Sequence, residues 1–373
     1  TLMSQKKLRC FNSSNTKINS FVFFLCACFS IACIFLVKSC ETKQKTPYYD
    51  RQIEASYLMQ KCEAFLFDYA KKNNIEIEEQ DINNTALLGP EYSALATTLG
   101  YSDAKRTILN PNMASLVVKD LEESGLKEGD VVAIGFSGSF PGLALASFCA
   151  CTAMGLEARI IVSFGSSFYG ATRPDFSMPL ITYLLLDNGY IEGKLLAISP
   201  GSEKDYGVGA FEGLLFENTR QTMLDKAFEL SQKSGCEFSD LANLKESINR
   251  RLELYGDVDL FINIGGASVN TGTSSQALEL SSGLVTTAKS IPLDETRGLV
   301  FEYLDKVIPV INLLNIKTLV LDNGLPFDPV PLPQVGEGDV YYLKKVSVAI
   351  VVLAFLFILT VLGLGVFINK KQG

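Results

Sequence analysis

The 373-residue chain contains no histidine. That absence removes the ordinary general base of a Ser-His-Asp triad. It also leaves any zinc site to cysteine and carboxylate alone, and no CxxC pair occurs among the nine scattered cysteines. Cys149 and Cys151 stand two apart in a predicted helix and so point in different directions. The thiols therefore read as structural, and no metal site is expected. The glycine-rich turn at 135–142 is neither a Walker A loop nor G-x-G-x-x-G, so no nucleotide is indicated and no cofactor is expected. Basic residues are scarce through the middle of the chain. Residues 47–340 hold 22 Lys/Arg against 40 Asp/Glu, a net of −18. Such a domain repels nucleic acid, which is set aside as a partner.

The missing cations sit at the two ends. Residues 1–46 carry 7 Lys/Arg and one Glu, and residues 341–373 carry four Lys and no acid. Each end also holds a charge-free apolar run: FVFFLCACFSIACIFLV (21–37), 17 residues, and VSVAIVVLAFLFILTVLGLGVFI (346–368), 23 residues. A spanning helix needs about 20 apolar residues, with about 17 as the lower limit. The expectation is a transmembrane helix at 346–368 and a transmembrane helix or signal anchor at 21–37. A cleaved signal, a lipidated one ending at Cys40, and a buried helix are the alternatives for the first run. Flanking cations are balanced, so the positive-inside rule sets no orientation. An N-terminal anchor followed by a long domain predicts export, with the domain extracytoplasmic and both termini inside. The expected division is a basic segment at 1–20, the first membrane segment at 21–37 and a linker at 38–50. A soluble domain at 51–324, a Pro/Gly-rich linker at 325–345, the second membrane helix at 346–368 and a basic tail at 369–373 follow.

Within the domain, apolar spacing predicts an amphipathic helix over 51–72. From Asn110 the pattern becomes regular. A helix over 111–125 ends at Gly125. The strands VVAIGF (131–136), RIIVSF (159–164), KLLAIS (194–199), LFINIGG (260–266) and TLVLDN (318–323) then alternate with helices. Those helices are expected at 143–154 and near 175–188, 210–234, 240–255 and 297–314. Short Val/Ile/Leu-rich runs of this kind suit parallel strands buried on both faces. The fold class is α/β, a doubly wound, mainly parallel, Rossmann-like sheet flanked by N- and C-terminal transmembrane helices.

The segment AIGFSGSFPGLALAS (133–147) runs from strand through a Gly/Ser turn into helix. It approaches the G-x-S-x-G nucleophile elbow, with Ser139 in place of the last glycine. A nucleophilic Ser137 would need a lysine base or a histidine from a partner. The other readings are a tight turn without a ligand and a backbone anion site, in which Gly135 and Gly138 let a carboxylate approach and Ser139 or Phe140 caps the helix ahead of Pro141. FSGSFPG (136–142) is echoed as FGSSFYG (164–170), which adds Ser166 and Ser167 as candidates at a second strand exit. Both would lie at the carboxyl edge of the sheet, where open α/β sheets bind ligands. Lys105 and Arg106, just before Asn110, could clamp a carboxylate. Arg173 and Asp175 could do the same beyond the second turn, and Gly265 and Gly266 could form a pocket wall. Glu203 and Asp205 follow a strand and could act in acid/base chemistry or hold a cation.

Five blocks, LGPEYSALATTLG (88–100), AKRTILNPNMASL (104–116), AIGFSGSFPGLALA (133–146), SFGSSFYGATRPDF (163–176) and FINIGG (261–266), taken in order, resemble the poly-gamma-glutamate system protein family. The likeness spans about 88–323. The resemblance implies a membrane component at a bacterial cytoplasmic membrane. Its partners there would be a poly-gamma-glutamate ligase and a multi-spanning membrane protein, in a capsule-like polymer synthesis and export system. Lys105, Arg106, Asn110, Ser137, Gly138, Ser139 and Pro141 carry over from its motifs without assigned roles. The function expected is a membrane-anchored accessory component of that system. A gamma-glutamyl hydrolase or transferase, or a module binding a glutamate-like polymer or small carboxylate, is the alternative.

Overall fold

The computed structural model describes residues 20–241 and 243–371. The basic segment 1–20, apart from its final residue, and the last two residues of the tail 369–373 lie outside them. The chain divides into two compact units, one made by the segments Thr1–Gln44 and Tyr342–Gly373 and the other by Lys45–Tyr341.

The larger unit is built on a seven-stranded sheet. Its strands are β1 (Val131–Phe136), β2 (Glu157–Ser163), β3 (Lys194–Ser199), β4 (Glu237–Phe238), β5 (Leu260–Ile264), β6 (Gly283–Val285) and β7 (Val310–Leu313). Their spatial order is β4-β3-β2-β1-β5-β7-β6. All pair in parallel except β6, which runs antiparallel to β7. The chain lays strands outward from β1 to β4 on one side, then returns to start the other side at β5. The order thus reverses between β1 and β5, which is the topological switch point of a doubly wound sheet. Register aligns the strand ends there, with Phe136 opposite both Ile264 and Val162.

Apolar residues fill β1, β2 and β5 because helices cover both faces. Helix Pro141–Ala153 connects β1 to β2. It begins at a proline, whose missing N–H costs little in a first turn, and Gly155 at φ +64° stands just beyond its end. Helices Tyr49–Lys72 and Met113–Glu123 pack on it. On the other face, Ala133, Ile161, Ala197, Phe261 and Val310 form one core with Ile248 and Tyr255 of helix Leu244–Tyr255 and with Leu299, Val300 and Tyr303 of helix Leu299–Asp305.

The mixed α/β class and mainly parallel sheet agree with the sequence reading, but its last strand does not. TLVLDN forms most of a helix, Ile316–Asp322, and the parallel strand is Val310–Leu313, inside the segment expected to be helical. Helix Leu299–Asp305 ends early, with Val307 at φ +61°. In the later segment Ile316, Leu319 and Val320 are buried while Lys317 and Thr318 are exposed, a helical spacing. A short apolar run does not by itself distinguish buried strand from buried helix, and here the two were exchanged. The Pro/Gly-rich segment after 324 also joins the core, through buried Leu325, Val340 and Tyr341. The Tyr341 hydroxyl bonds Asn112 Oδ1 at 2.6 Å and Ser56 Oγ at 2.8 Å.

In the smaller unit, strands Thr42–Lys45 and Tyr342–Lys345 pair in a two-stranded sheet. Helices Ser20–Ser39 and Val348–Lys371 contact one another, with Phe29 and Phe357 edge-to-face at 5.8 Å. Among the described residues one helix is long and apolar enough to cross a membrane, over Val348–Gly365. The apolar stretch of the first, Phe24–Ser39, is shorter.

Candidate functional site

At the carboxyl ends of β1, β2, β3 and β5 the chain encloses a cavity of about 400 Å³. Four strand exits line it: Ser137, Ser139 and Phe140 after β1; Gly165 and Ser167 after β2; Ser202 and Glu203 after β3; Gly266, Ala267 and Ser268 after β5. Thr97, Thr98 and Leu99 form the remaining wall. The cavity therefore occupies the switch point, the place where this topology leaves an opening.

The two echoed turns form one substructure. Gly138 N–H donates to Gly165 O at 3.0 Å, and Ala171 N–H donates to Gly138 O at 2.8 Å. Ser167 N–H donates to Ser139 Oγ at 3.0 Å, and Ser137 Oγ donates to Ser139 Oγ at 3.1 Å. Glycine is required at this seam. A Cβ on Gly138 would lie 2.9 Å from Ser166 Cβ, and one on Gly170 would lie 2.5 Å from Gly138 O. Strand Ala96–Thr98 pairs in parallel with Ser166–Ser167 and completes the wall.

Lys105 approaches the seam from behind. It lies on the short helix Ser102–Thr107 and is 1% exposed. Its Nζ donates to Ser139 O, lies 2.6 Å from Ser167 Oγ, and sits 3.8 Å from the Phe140 ring centroid. Among the described residues no carboxylate forms an ion pair with it. Burial without a counter-charge lowers its pKa to about 7. The close approach of this helix depends on Gly142, where a Cβ would lie 2.1 Å from Ile108 O.

Several other predicted candidates have structural partners. Arg106 does not join Lys105 in a clamp. It binds Asp328 through two bonds of 2.7 Å, which raises its pKa, and it donates to Gln80 O. Arg173 is buried and donates to Leu88 O, Glu76 O and Glu78 Oε1, with its pKa lowered first by burial. It staples the 76–88 segment to the domain. Asp175 is exposed on a second groove beside Lys226 and Lys233. Asn110 is buried and accepts from Asn112, shaping the turn before helix Met113–Glu123. Asp205 is buried in an ion pair with Arg251 at 2.9 Å and accepts from Ser199 Oγ at 2.8 Å. Of the proposed acid/base pair, then, only Glu203 faces the cavity.

Gly135 lies within β1, beneath the site. A Cβ there would crowd Asn270, whose Nδ2 donates to Gly135 O at 2.7 Å. Ser166 is fully buried and donates to Ser167 O. Gly265, at φ +84°, faces the Phe140 ring, and Gly266 lines the cavity. Thr97, Thr98, Ser202 and Ser268 are wall residues that sequence reasoning missed. The G-G-x-S sequence at 265–268 is a signal that marks Ser268 as part of a strand exit. The threonines carry no signal before the fold brings them there. Among the described residues, no group of three or more His, Cys, Asp or Glu side chains is placed to hold a metal ion.

In comparisons with known proteins, no family model matches the chain and no curated protein matches it.

Proposed function

We propose that this protein is a membrane-anchored component of a bacterial poly-gamma-glutamate synthesis and export system, working beside a ligase and a multi-spanning partner. In this reading the two terminal apolar helices hold it in the cytoplasmic membrane and the α/β domain stands outside. One observation carries the proposal. The five sequence blocks that resemble the poly-gamma-glutamate system family converge on a single cavity. The first supplies Thr97–Leu99, the third Ser137, Ser139 and Phe140, the fourth Gly165 and Ser167, and the fifth Gly266 to its wall, while the second places Lys105 behind Ser167. The cavity offers hydroxyls and the Glu203 carboxylate rather than a cationic surface, which in this reading suits the amide backbone of one glutamyl unit rather than the whole polyanion. A domain of net charge −18 repels the polymer at large, and screening within about 8–10 Å at physiological salt leaves local recognition possible.

The test is genetic and biochemical. Deleting the gene in a polymer-producing bacterium should abolish or sharply reduce surface polyglutamate, and the detergent-solubilised protein should co-purify with the ligase or the membrane partner. Unchanged polymer together with recovery of neither partner would overturn the reading.

A further inference from the structure

We propose that Ser167 and Lys105 form a nucleophile–base pair that gives the switch-point cavity acyl-transfer activity toward an amide or ester carbonyl. The lack of histidine leaves lysine as the available nitrogen base, and serine–lysine pairs are an established alternative to serine–histidine. The geometry singles out this pair. Ser167 lines the cavity, while Lys105 lies behind it with its amine 2.6 Å from the Ser167 hydroxyl.

The environment fits a neutral amine. An ammonium group has three donors and no acceptor, whereas a neutral amine has two donors and a lone pair. Lys105 Nζ donates to Ser139 O and to Ser167 Oγ, and once deprotonated its lone pair would face the Ser167 hydroxyl across the same 2.6 Å. The Phe140 ring face lies 3.8 Å from the amine and favours its protonated form, the state in which it passes the proton to the leaving group. The lowered pKa of Lys105, from burial, agrees with a base that is free near neutral pH. Ser137, although at the elbow-like position, donates to Ser139 rather than to a base. Ser139 accepts the Ser167 backbone N–H and so holds the nucleophile's loop in place.

The step balances with water or an amine as co-reactant. Ser167 Oγ bonds to the substrate carbonyl carbon while its proton passes to Lys105 Nζ. The C–N bond of an amide (or C–O of an ester) then breaks, and the leaving group takes that proton. Water attacks the acyl-serine, Lys105 takes one of its protons, the ester C–O bond breaks, and Ser167 recovers the proton. The sum is amide plus water to acid plus amine. An amine in place of water gives a new amide.

The activity does not depend on the polymer pathway, and neither does its test. The full chain, in detergent, is treated with a fluorophosphonate, which phosphonylates activated serines with loss of fluoride, and the adduct is mapped by peptide mass spectrometry. The expected result is modification of Ser167, abolished in Ser167→Ala and slowed at least tenfold in Lys105→Met. No adduct on the wild type, an adduct confined to Ser137 or Ser139, or a Lys105→Met variant labelled at the wild-type rate would each overturn the proposal. If Lys105→Met fails to fold, the pH dependence of wild-type labelling decides. The rate should rise through a midpoint near 7, and a flat profile from pH 5 to 9 would overturn the proposal. The charged groups on elements packed around the amine are Asp103 and Arg106 of its own helix, Lys317 and Asp322 of helix Ile316–Asp322, Asp328, and Glu203 on the cavity wall. Arg106 is bound by Asp328, and both turns touching the amine are free of charge. Labelling of Ser167 without any effect of the protein on polyglutamate would keep this inference and sink the pathway reading.

Discussion

Lys105 and Asp120 are buried ionisable groups that pull stability in opposite directions with pH. Burial lowers Lys105 from 10.5 to about 7. Between those values the folded chain is neutral at this site and the unfolded chain is protonated. Unfolding then takes up a proton, so stability rises with pH across that window, by at most about 1.4 kcal/mol per pH unit. Burial raises Asp120 from 3.8 to about 7. Between those values the folded chain holds the proton and the unfolded chain has lost it, so stability falls as pH rises. Together the two groups place a trough in stability near pH 7. Lys105→Met should flatten the alkaline limb and Asp120→Asn the acid limb, read as thermal midpoints at pH 5, 7 and 9. A Lys105→Met profile parallel to wild type from pH 7 to 9 would show that the amine is charged in the fold.

At the scale of elements, the site depends on strand ends held in register. The Asp205–Arg251 pair does part of this from below the cavity. Arg251 Nη2 donates to Asp205, Ser199 Oγ and Ser163 Oγ, tying helix Leu244–Tyr255 to the ends of β2 and β3. Removing one partner leaves a buried charge uncompensated. Arg251→Met should therefore cost about 3–5 kcal/mol, measured by urea unfolding. Adding Asp205→Asn should recover part of the loss, because the stranded carboxylate goes with it. Equal losses in the single and double variants would place the cost in packing instead.

The same elements show what the chain reveals before folding. β1 and β3 were legible residue for residue, because short aliphatic runs bounded by turn residues admit few readings. Ser137, Ser139, Ser167 and Gly266 were legible as candidates because strand exits of a parallel sheet collect at one edge. The exchange of strand and helix after Leu299 was not legible, since VIPVINLL and TLVLDN both carry aliphatic residues and both are too short for periodicity to decide. Nor was the role of Lys105. Its partner Ser167 lies 62 residues away, and neighbouring Arg106 looks equivalent in sequence until Asp328, 222 residues on, binds it. Pairings made by topology leave no local trace.

At the scale of the whole molecule, charge and hydropathy divide the chain in the same way as its compact units. The smaller unit carries the apolar helices and the basic flanks, while Lys45–Tyr341 carries the acidic excess and its own core. A domain of about 300 residues with a complete sheet covered on both faces should fold without the terminal helices. Expressed alone, Lys45–Tyr341 should unfold cooperatively and have a radius of gyration of about 19 Å by small-angle scattering. On the proposed function its side of the membrane governs what it can meet, because ATP and free glutamate are cytoplasmic while an exported polymer is not. Leu293 is 97% exposed and lies in the domain, so a cysteine there reports sidedness. Cys62, Cys149 and Cys151 are buried and should stay silent, and Cys236→Ala removes the half-buried thiol. With Cys10, Cys40 and Cys236 replaced by alanine, an impermeant maleimide should label Leu293→Cys in intact cells well above the background of the same chain without it, with no gain on lysis. Labelling that appears only after lysis would place the domain inside. On the proposed function the cavity would then face the precursor pool, and the proposed acyl transfer would act on a growing chain rather than on finished polymer.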